Sequence, residues 1–366
     1  MAIYLDWNAT APLRPEARSA WLAAQDEAWA NPSAIHQDGQ RARHVLDEAK
    51  RTLARLLGVK THELICTSGG TEANALALHQ AQGRICLSAI EHSSLLRAAG
   101  EAERIPVDSL GRLVVESVPA DAGLVAFQLA NNETGSRNDV PRLAAAIRAR
   151  APQALILLDA CQGAGKTALN LGASGVDLAT LAGHKFGAPK GCGLLYARNG
   201  LRLTPLLRGG RQQQDRRSGT EDPATVAALA AALTAATNEL PTEEPRQRTL
   251  LASCFAQIRQ ALPACRWIAQ EVERLANTLS LGHPGCSSEV LVQRLDLRGI
   301  AVSVGAACMA GRGEPSHVIA ALGVEPTLAR SVIRISIGHL TTESELEAFS
   351  HAYIAEVRAV IGHRAG

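Results

Sequence analysis

Short apolar segments alternate with amphipathic segments along the first two thirds of the chain. The apolar runs have the character of buried strands, whereas the amphipathic segments repeat their apolar positions with the period of a helix. The runs lie at 64–67, 84–89, 123–130, 154–159, 176–181 and 192–197, and the helical patterns include 38–57, 71–82, 140–150 and 224–237. This alternation predicts an α/β fold with a mostly parallel sheet that helices cover on both faces.

The pattern changes at residues 238–247, where two prolines and several charged residues interrupt it. Such a cluster is typical of a break between elements. Beyond it the segments follow the order helix, short strands and helix, which indicates a smaller α+β unit. We therefore predict a large domain over residues 15–240 and a small domain that combines residues 241–366 with the N-terminal residues 1–14.

Composition and charge narrow the possible partners and location of the protein. The 366 residues are 46% hydrophobic, enough for a substantial core, and the net charge of +2 leaves no basic patch or stripe. The charge therefore favours neither nucleic acid nor an anionic membrane as a partner. No apolar run reaches the roughly 18 residues of a membrane-spanning helix, and the N-terminus has no signal-peptide pattern, so we expect a cytoplasmic protein.

Eight cysteines are scattered through the chain without Cys-x-x-Cys pairs or Cys/His ligand spacing. The sequence therefore predicts neither a disulfide framework nor a zinc site, and no metal is expected. Most of these cysteines are expected to be small buried hydrophobic residues.

Lys185 lies in a glycine-rich turn within residues 179–193 and is one of only five lysines in the chain. A lysine in such a turn can form an imine with an aldehyde cofactor, because partial burial lowers the pKa of the ammonium group and frees the amine as a nucleophile. A solvated loop lysine is the alternative. The covalent role is favoured because the apolar run 154–159 ends in Asp159, at the sheet edge where α/β folds bind ligands. An acid there can keep a pyridinium nitrogen protonated.

A second candidate ligand site follows the strand at 64–67, where Ser68-Gly69-Gly70-Thr71 opens a helix. Free N–H groups and the positive end of the helix dipole favour a phosphate there by about 0.3–2 kcal/mol, although the same turn can be an ordinary helix cap. The segment lacks the lysine spacing of a Walker motif and the Gly-x-Gly-x-x-Gly of dinucleotide sites. This disfavours a nucleotide or a nicotinamide cofactor.

Polar side chains follow two further strands at the same edge of the predicted sheet. His92 comes after the run 84–89, and its flat imidazole could stack on a cofactor ring and exchange protons near neutral pH. Asn131 and Asn132 follow the run 123–130 and supply amides that fit a phenolic oxygen or a carboxylate.

Together these segments resemble the cysteine desulfurases, a branch of the fold type I, class-V aminotransferase-like enzymes that use pyridoxal 5′-phosphate (PLP). The resemblance covers nearly the whole chain and rests on a specific series of motifs. They are, in order, Thr-Ser-Gly-Gly-Thr-Glu-Ala-Asn (67–74), Glu-His-Ser-Ser (91–94), Asn-Asn-Glu-Thr-Gly (131–135), Asp-Ala-Cys-Gln (159–162), Gly-His-Lys (183–185), Pro-Lys-Gly (189–191), Arg-Ser-Gly-Thr (217–220), Gly-Ala-Ala-Cys (305–308), Glu-Pro-Ser-His (314–317) and Ile-Arg-Ile-Ser-Ile-Gly (333–338). The resemblance implies a mostly parallel sheet of the seven-stranded type and a smaller α+β domain that carries the cysteine loop.

The resemblance implies a role for each residue around the cofactor ring. Lys185 would form the imine, Asp159 would pair with the pyridine nitrogen, and His92 would stack on the ring and take part in catalysis. Asn132 and Gln162 would approach the phenolic oxygen, and Asn132 would also lie against the substrate.

The resemblance also implies the residues for the phosphate, the substrate carboxylate and the subunit contact. The amide of Gly70, the Thr71 side chain and His184 would hold the phosphate. Thr220 would reach the phosphate from a second subunit, which implies a homodimer. Arg334 would bind the substrate carboxylate by a bidentate charge-assisted bond, which suits a planar guanidinium better than a lysine.

The implied reaction removes the sulfur of L-cysteine. PLP makes loss of the Cα proton feasible, Lys185 can carry that proton, and Cys308 attacks the substrate sulfur, which leaves L-alanine and a persulfide on the enzyme. Cys308 follows the apolar strand 300–304 in a loop with several glycines. The loop resembles that of the group with the longer cysteine loop, in which the persulfide passes to a separate sulfur-acceptor protein. A buried structural cysteine is the alternative role for Cys308.

The chain departs from its relatives at several positions. Ala306, Met309 and Ala310 surround the cysteine where relatives commonly have serine or threonine. Ala182 replaces a serine that often donates to the phosphate, and His339 replaces an arginine.

Two alternatives of other classes follow from the same residues. One is a different PLP-dependent carbon–sulfur or selenocysteine lyase, in which the loop cysteine is dispensable. The other is a PLP-fold scaffold in a sulfur-transfer assembly. The released sulfur could serve iron–sulfur clusters, tRNA thiolation or another pathway.

Overall fold

A computed structural model describes residues 2–305 and 315–362. Its strands are β1 (Ile3–Tyr4), β2 (Leu64–Thr67), β3 (Arg84–Ser88), β4 (Glu103–Ile105), β5 (Ala122–Gln128), β6 (Leu155–Asp159), β7 (Leu178–Ala182), β8 (Gly193–Ala197), β9 (Arg266–Trp267), β10 (Thr278–Gly282), β11 (Ile300–Ala301) and β12 (Ile333–Ser336). Its helices are α1 (Pro15–Glu27), α2 (Gln37–Leu57), α3 (Gly70–Leu78), α4 (Ser93–Leu96), α5 (Val140–Arg150), α6 (Gln212–Asp215), α7 (Pro223–Ala261), α8 (Ser288–Asp296), α9 (His317–Ala321), α10 (Pro326–Ala329) and α11 (Glu343–Gly362). Within these residues, no helix combines the length and the apolar character needed to cross a membrane.

The central sheet has seven strands in the order β2-β8-β7-β6-β5-β3-β4. The five strands from β7 to β4 in this order are parallel to one another, and β8 is antiparallel to both of its neighbours. The predicted α/β fold with a mostly parallel sheet is confirmed. The hydrophobic pattern misses only the edge strand β4, because Glu103 and Arg104 make it mostly polar and exposed.

Both faces of this sheet are buried, which is why its strands read as continuous apolar runs. On one face, Val125 and Phe127 of β5 and Ile156 of β6 pack in a cluster with residues of α2, α5 and α7. On the other face, Leu124 and Leu157 pack with residues of α3. Successive residues of a strand thus enter opposite layers, and the polar residues at the strand ends are left to form a site.

A second hydrophobic core is formed by β10, β12, α8, α11 and the C-terminal half of α7. Its sheet has the order β12-β10-β9, and β1 pairs in parallel with β11. Leu5 is fully buried in this core, and its carbonyl oxygen accepts a hydrogen bond from the backbone N–H of Ser336 at 2.8 Å. The N-terminal segment therefore crosses between the two cores, which brings Asn8 and Ala9 to the edge of the large sheet.

The predicted break at residues 238–247 is wrong, because α7 runs through this stretch as one helix of 39 residues that contains Pro241 and Pro245. A proline in a helix leaves the carbonyl four residues earlier without its donor. Pro241 is exposed and its surroundings are partly exposed, so these carbonyls can reach water. Packing fixes both ends of the helix, since Leu229 lies in the large core and Ile258 in the second one. The predicted domain boundary falls inside α7 and stays a prediction.

Candidate active site

A pocket of about 400 Å³ lies at the carboxyl ends of the parallel strands, where the N-terminal segment and β12 meet the large sheet. Thr220 is exposed and does not line it, whereas Gly305 does. Cys308 lies outside the described residues. Nine of the residues predicted for the site line this pocket: Gly70, Thr71, His92, Asn132, Asp159, Gln162, His184, Lys185 and Arg334.

Lys185 lies in the turn after β7, and its amine contacts the N-terminal segment. Nζ donates to the carbonyl oxygens of Asn8 and Ala9 at 2.8 and 2.9 Å. Burial lowers the pKa of the Lys185 ammonium, and the positive charge of Arg334 acts in the same direction. The lowered pKa increases the fraction of free amine, which is the form that attacks an aldehyde. Lys190, the other lysine of this turn, is exposed.

Asp159 ends β6 with a carboxylate that its neighbours hold in place. Oδ1 accepts from the backbone N–H of Cys161 at 2.9 Å, and Oδ2 accepts from Nδ2 of Asn74 at 3.1 Å. Asn74 is itself fixed, because its Oδ1 accepts from the hydroxyl of Thr180 at 2.7 Å. The carboxylate is therefore oriented by the fold. The sequence assigns no role to Asn74, although a buried asparagine among the buried alanines and leucines of α3 is a signal for one.

His92 caps α4 and connects to the same hydrogen-bond network. Its Nδ1 accepts from the backbone N–H of Ser94 at 3.1 Å and lies 2.8 Å from the Ser94 hydroxyl oxygen, which in turn accepts from Asn74 at 2.9 Å. Burial lowers the pKa of His92, although the nearby charge of Asp159 opposes this shift. The ring is therefore neutral at pH 7 and carries its proton on Nε2, since Nδ1 is the acceptor.

The start of α3 forms a narrow cradle of small residues. Gly69 has a φ of +152°, and a Cβ on Gly70 would lie 2.7 Å from Sγ of Cys161 and 3.3 Å from Cβ of Ala182. Glycine is thus required at both positions, which keeps the backbone N–H groups accessible. The first N–H groups of a helix have no acceptor within the helix and attract anions.

His184 lines the same pocket as a neutral hydrogen-bonding group. Its Nδ1 is 3.2 Å from the hydroxyl oxygen of Thr10. Burial lowers the pKa of His184 to about 4, with the charges of Lys185 and Lys190 acting in the same direction. The ring is uncharged at neutral pH, so it can donate one hydrogen bond to an anion without contributing a charge.

Arg334 reaches the pocket from β12 and is 4% exposed. Its Nη2 pairs with Oδ1 of Asp6 at 2.5 Å, and its Nη1 donates to the carbonyl oxygen of Asn132 at 3.2 Å. Nε has no acceptor within the part of the chain that the structure describes. Arg334 lines the pocket, and guanidinium groups can bind carboxylates through two N–H groups at once.

Two ion pairs anchor the segment 217–221 on either side of Thr220. Arg217 pairs with Glu72 of α3 at 2.7 Å, and Glu221 pairs with Lys50 of α2 at 2.5 Å. Thr220 between them is exposed. The segment is thus held at the start of α3, while its threonine stays available for a contact outside this chain.

Glu91 is a pocket-lining acid to which the sequence assigns no role. Glu91 is fully buried, and among residues 2–305 and 315–362 neither of its carboxylate oxygens has a hydrogen-bond partner. Burial raises the pKa of Glu91 well above its usual range, and the charge of Asp159 raises it further. The fold therefore favours the protonated form of this group.

Glu91→Gln should increase the free energy of unfolding at neutral pH. The folded pKa of Glu91 is raised, so its contribution to stability is fully present below the unfolded pKa and is lost as the pH rises towards the folded pKa. The variant removes this loss, and we expect a gain of about 1–3 kcal/mol at pH 7 that disappears near pH 4. Urea unfolding across this pH range measures it, with the exposed Glu347→Gln as a control. A gain that does not depend on pH would contradict the prediction.

Comparisons with known proteins agree on one family. The chain matches the aminotransferase class-V family over residues 3–349. It is 39% identical to a cysteine desulfurase of Rhodobacter capsulatus, and the match covers 98% of each chain. A solved NifS-like protein has a TM-score of 0.90 and 29% identity, over 98% of this chain and 99% of that one. The structure of SspA in complex with cysteine has a TM-score of 0.79 and 25% identity, over 92% of this chain and 98% of that one.

Proposed function

The chain belongs to the aminotransferase class-V family and is a cysteine desulfurase, and from this premise we propose that it removes the sulfur of L-cysteine with PLP bound through Lys185. One observation carries the proposal. A lysine with a lowered pKa, an oriented acid and an open helix N-terminus line the same pocket. These are the groups that an aldehyde, a pyridine nitrogen and a phosphate require.

The residues of the pocket fit the parts of PLP. Asp159 can hold the pyridine nitrogen protonated, and the neutral ring of His92 is suited to stacking on the cofactor ring. The backbone at Gly70, the side chain of Thr71 and the uncharged ring of His184 can hold the phosphate. When bound, PLP supplies an electron sink for the carbanion that forms at Cα of the substrate.

The remaining groups bind the substrate and move its proton. Arg334 orients L-cysteine by its carboxylate, while Asp6 keeps the guanidinium in position. The amine of Lys185 is held by two backbone carbonyls on the pocket wall, and it can take the Cα proton as a base of lowered pKa. The same amine can return a proton to the product.

Cys308 completes the reaction in this proposal. Its thiolate attacks the sulfur of the bound cysteine, so that an S–S bond forms and the C–S bond breaks. The electron pair of the broken bond stays on the former Cβ, which takes up a proton to give L-alanine. The persulfide sulfur then passes to a sulfur-acceptor protein, or leaves as sulfide when a thiol reductant is supplied. The resemblance supports this role, since Gly305 at the start of the motif lines the pocket.

The proposed enzyme is a homodimer in which Thr220 completes the phosphate site of the partner. The exposed position of Thr220 between two ion pairs supports this arrangement. Sedimentation of the purified protein tests the oligomeric state, and a monomer with full activity would refute the shared site.

The function is tested by incubating the purified protein with L-cysteine and a thiol reductant and assaying sulfide and alanine together. Equal amounts of the two products are expected. Sulfide with pyruvate in place of alanine would indicate a carbon–sulfur lyase. Turnover of selenocysteine but not of cysteine would indicate a selenocysteine lyase, and cofactor spectra that do not respond to cysteine would indicate a scaffold.

Ala182→Ser should tighten the binding of PLP. Ala182 is buried at the end of β7, lines the pocket and lies beside the cradle at Gly70. A hydroxyl there can donate to the charged phosphate, and such a bond is worth about 1.5–3 kcal/mol, or roughly one to two decades of affinity. Titration of the apoenzyme with PLP gives the dissociation constants of the two proteins. An unchanged or weaker affinity in Ala182→Ser would refute the prediction.

A further inference from the structure

Lys166 is a second lysine near Lys185, and it lies in the turn after β6. Gln162 lines the pocket, whereas Lys166 does not. Its Nζ donates to Oε1 of Gln162 at 2.7 Å and to Oδ1 of Asn8 at 2.8 Å. In both of these hydrogen bonds the acceptor is therefore the oxygen of a side-chain amide.

The contacts with Lys166 and with the carbonyl oxygen of Asn8 agree on one orientation of the Gln162 amide. A free amide can turn over and present either its oxygen or its NH2 group to a given neighbour. Here the oxygen faces the amine of Lys166, so the NH2 group lies at the other end and donates to the carbonyl oxygen of Asn8 at 2.9 Å. The same nitrogen carries a second hydrogen, which can serve a ligand in the pocket.

Asn8 is held so that it supports this orientation. Its Oδ1 also accepts from Nδ2 of Asn277 at 3.0 Å, and its Nδ2 donates to the hydroxyl of Thr278 at 2.9 Å. Its carbonyl oxygen, which accepts from the glutamine, also accepts from Nζ of Lys185 at 2.8 Å. Asn8 thus contacts both lysine amines, that of Lys166 through its side-chain oxygen and that of Lys185 through its backbone carbonyl.

We propose that Lys166 is a positioning residue that turns the donor end of Gln162 towards the phenolic oxygen of bound PLP and so favours the ionised form of that oxygen. The inference rests on the proposed function, because it takes Gln162 to lie against this oxygen. A reversed amide would present lone pairs to an anion. Burial lowers the pKa of Lys166 well below its usual range, and the charge of Lys185 lowers it further. A neutral amine still has the two hydrogens that its two bonds use.

The test compares four purified holoenzymes: wild type, Lys166→Met, Gln162→Leu and the double variant. The measurement is the pH midpoint of the cofactor absorbance, which reports the proton affinity of the linked cofactor and rises when its phenolic oxygen is less stabilised as an anion. We expect Lys166→Met to raise this proton affinity about tenfold, because a hydrogen bond to a charged acceptor is weakened. In the Gln162→Leu background, Lys166→Met should cause no further rise, because the amide through which it acts is absent.

Two outcomes would overturn the proposal. An unchanged midpoint in Lys166→Met would show that the amide keeps its orientation without the lysine, and an equal shift in both backgrounds would show that Lys166 acts through its own charge. Lys166 borders a cavity of about 50 Å³ into which a longer side chain can extend. Lys166→Arg keeps the hydrogen-bond donors, so its midpoint should equal that of the wild type.

A second variant covers the case in which Lys166→Met does not fold, as judged by thermal unfolding. Lys166→Gln can present either end of its amide to Gln162, so a smaller rise in the same direction is expected, and an unchanged midpoint would again overturn the proposal. Absence of cofactor absorbance in the wild-type protein would instead refute the proposed function.

Discussion

Lys185→Ala should abolish both the covalent attachment of PLP and the turnover of L-cysteine. The wild-type protein is expected to be yellow, and borohydride should fix the cofactor to Lys185, whose buried amine has a lowered pKa. Removal of that amine deletes the attachment point and the group that moves the Cα proton. General acid–base groups contribute roughly 10²–10⁴-fold each, so sulfide and alanine release should fall by at least this factor.

Lys190→Ala is the matched control for this experiment, since Lys190 belongs to the same turn but is exposed. It should keep the yellow colour and the borohydride-fixed cofactor. Peptide mapping locates the reduced cofactor in each protein. A reduced cofactor on Lys190, or none in the wild type, would refute the assignment of Lys185.

The large sheet could be predicted from the sequence because burial on both faces makes its strands visible as apolar runs. Asp159 ends one such run and His92 follows another, and parallel strands place their carboxyl ends at one edge, so the convergence of these side chains can be predicted from the sequence. The edge strand β4 and the continuity of α7 were not predictable in this way. Both depend on what packs against the segment, which local composition does not contain.

The hydrogen bonds among Asn8, Gln162 and Lys166 could not be predicted from local sequence patterns either. Asn8 and Gln162 are 154 positions apart in the chain, and Asn8 has no periodic or motif signal. Lys166 had a usable signal, because it is one of five lysines and follows Asp159 closely. Glu91 precedes His92 within a motif, but only the packed layers of the structure show that its carboxylate is fully buried.

Cys308→Ala should separate the sulfur-acceptor step from the cofactor chemistry. Neither attachment of PLP at Lys185 nor binding of L-cysteine needs the thiol, so the variant should stay yellow and its spectrum should still respond to cysteine. The thiolate acts after the substrate is bound, so its removal deletes an interaction of the transition state and leaves ground-state binding largely intact. Sulfide and alanine release should therefore fall by several orders of magnitude, while the affinity for cysteine changes little.

Cys161→Ala is the informative comparison, because the thiol of Cys161 lines the pocket. Burial raises the pKa of Cys161 well above its usual range, and the charge of Asp159 raises it further. Its sulfur is therefore a protonated thiol, which is a poor nucleophile, and Cys161→Ala should continue to release sulfide. If sulfide release were lost in Cys161→Ala and kept in Cys308→Ala, Cys161 would be the residue that carries the persulfide. Near-normal sulfide and alanine release in both variants and in their double variant would show that neither thiol is required. Direct lyase chemistry would then be the better account of the reaction.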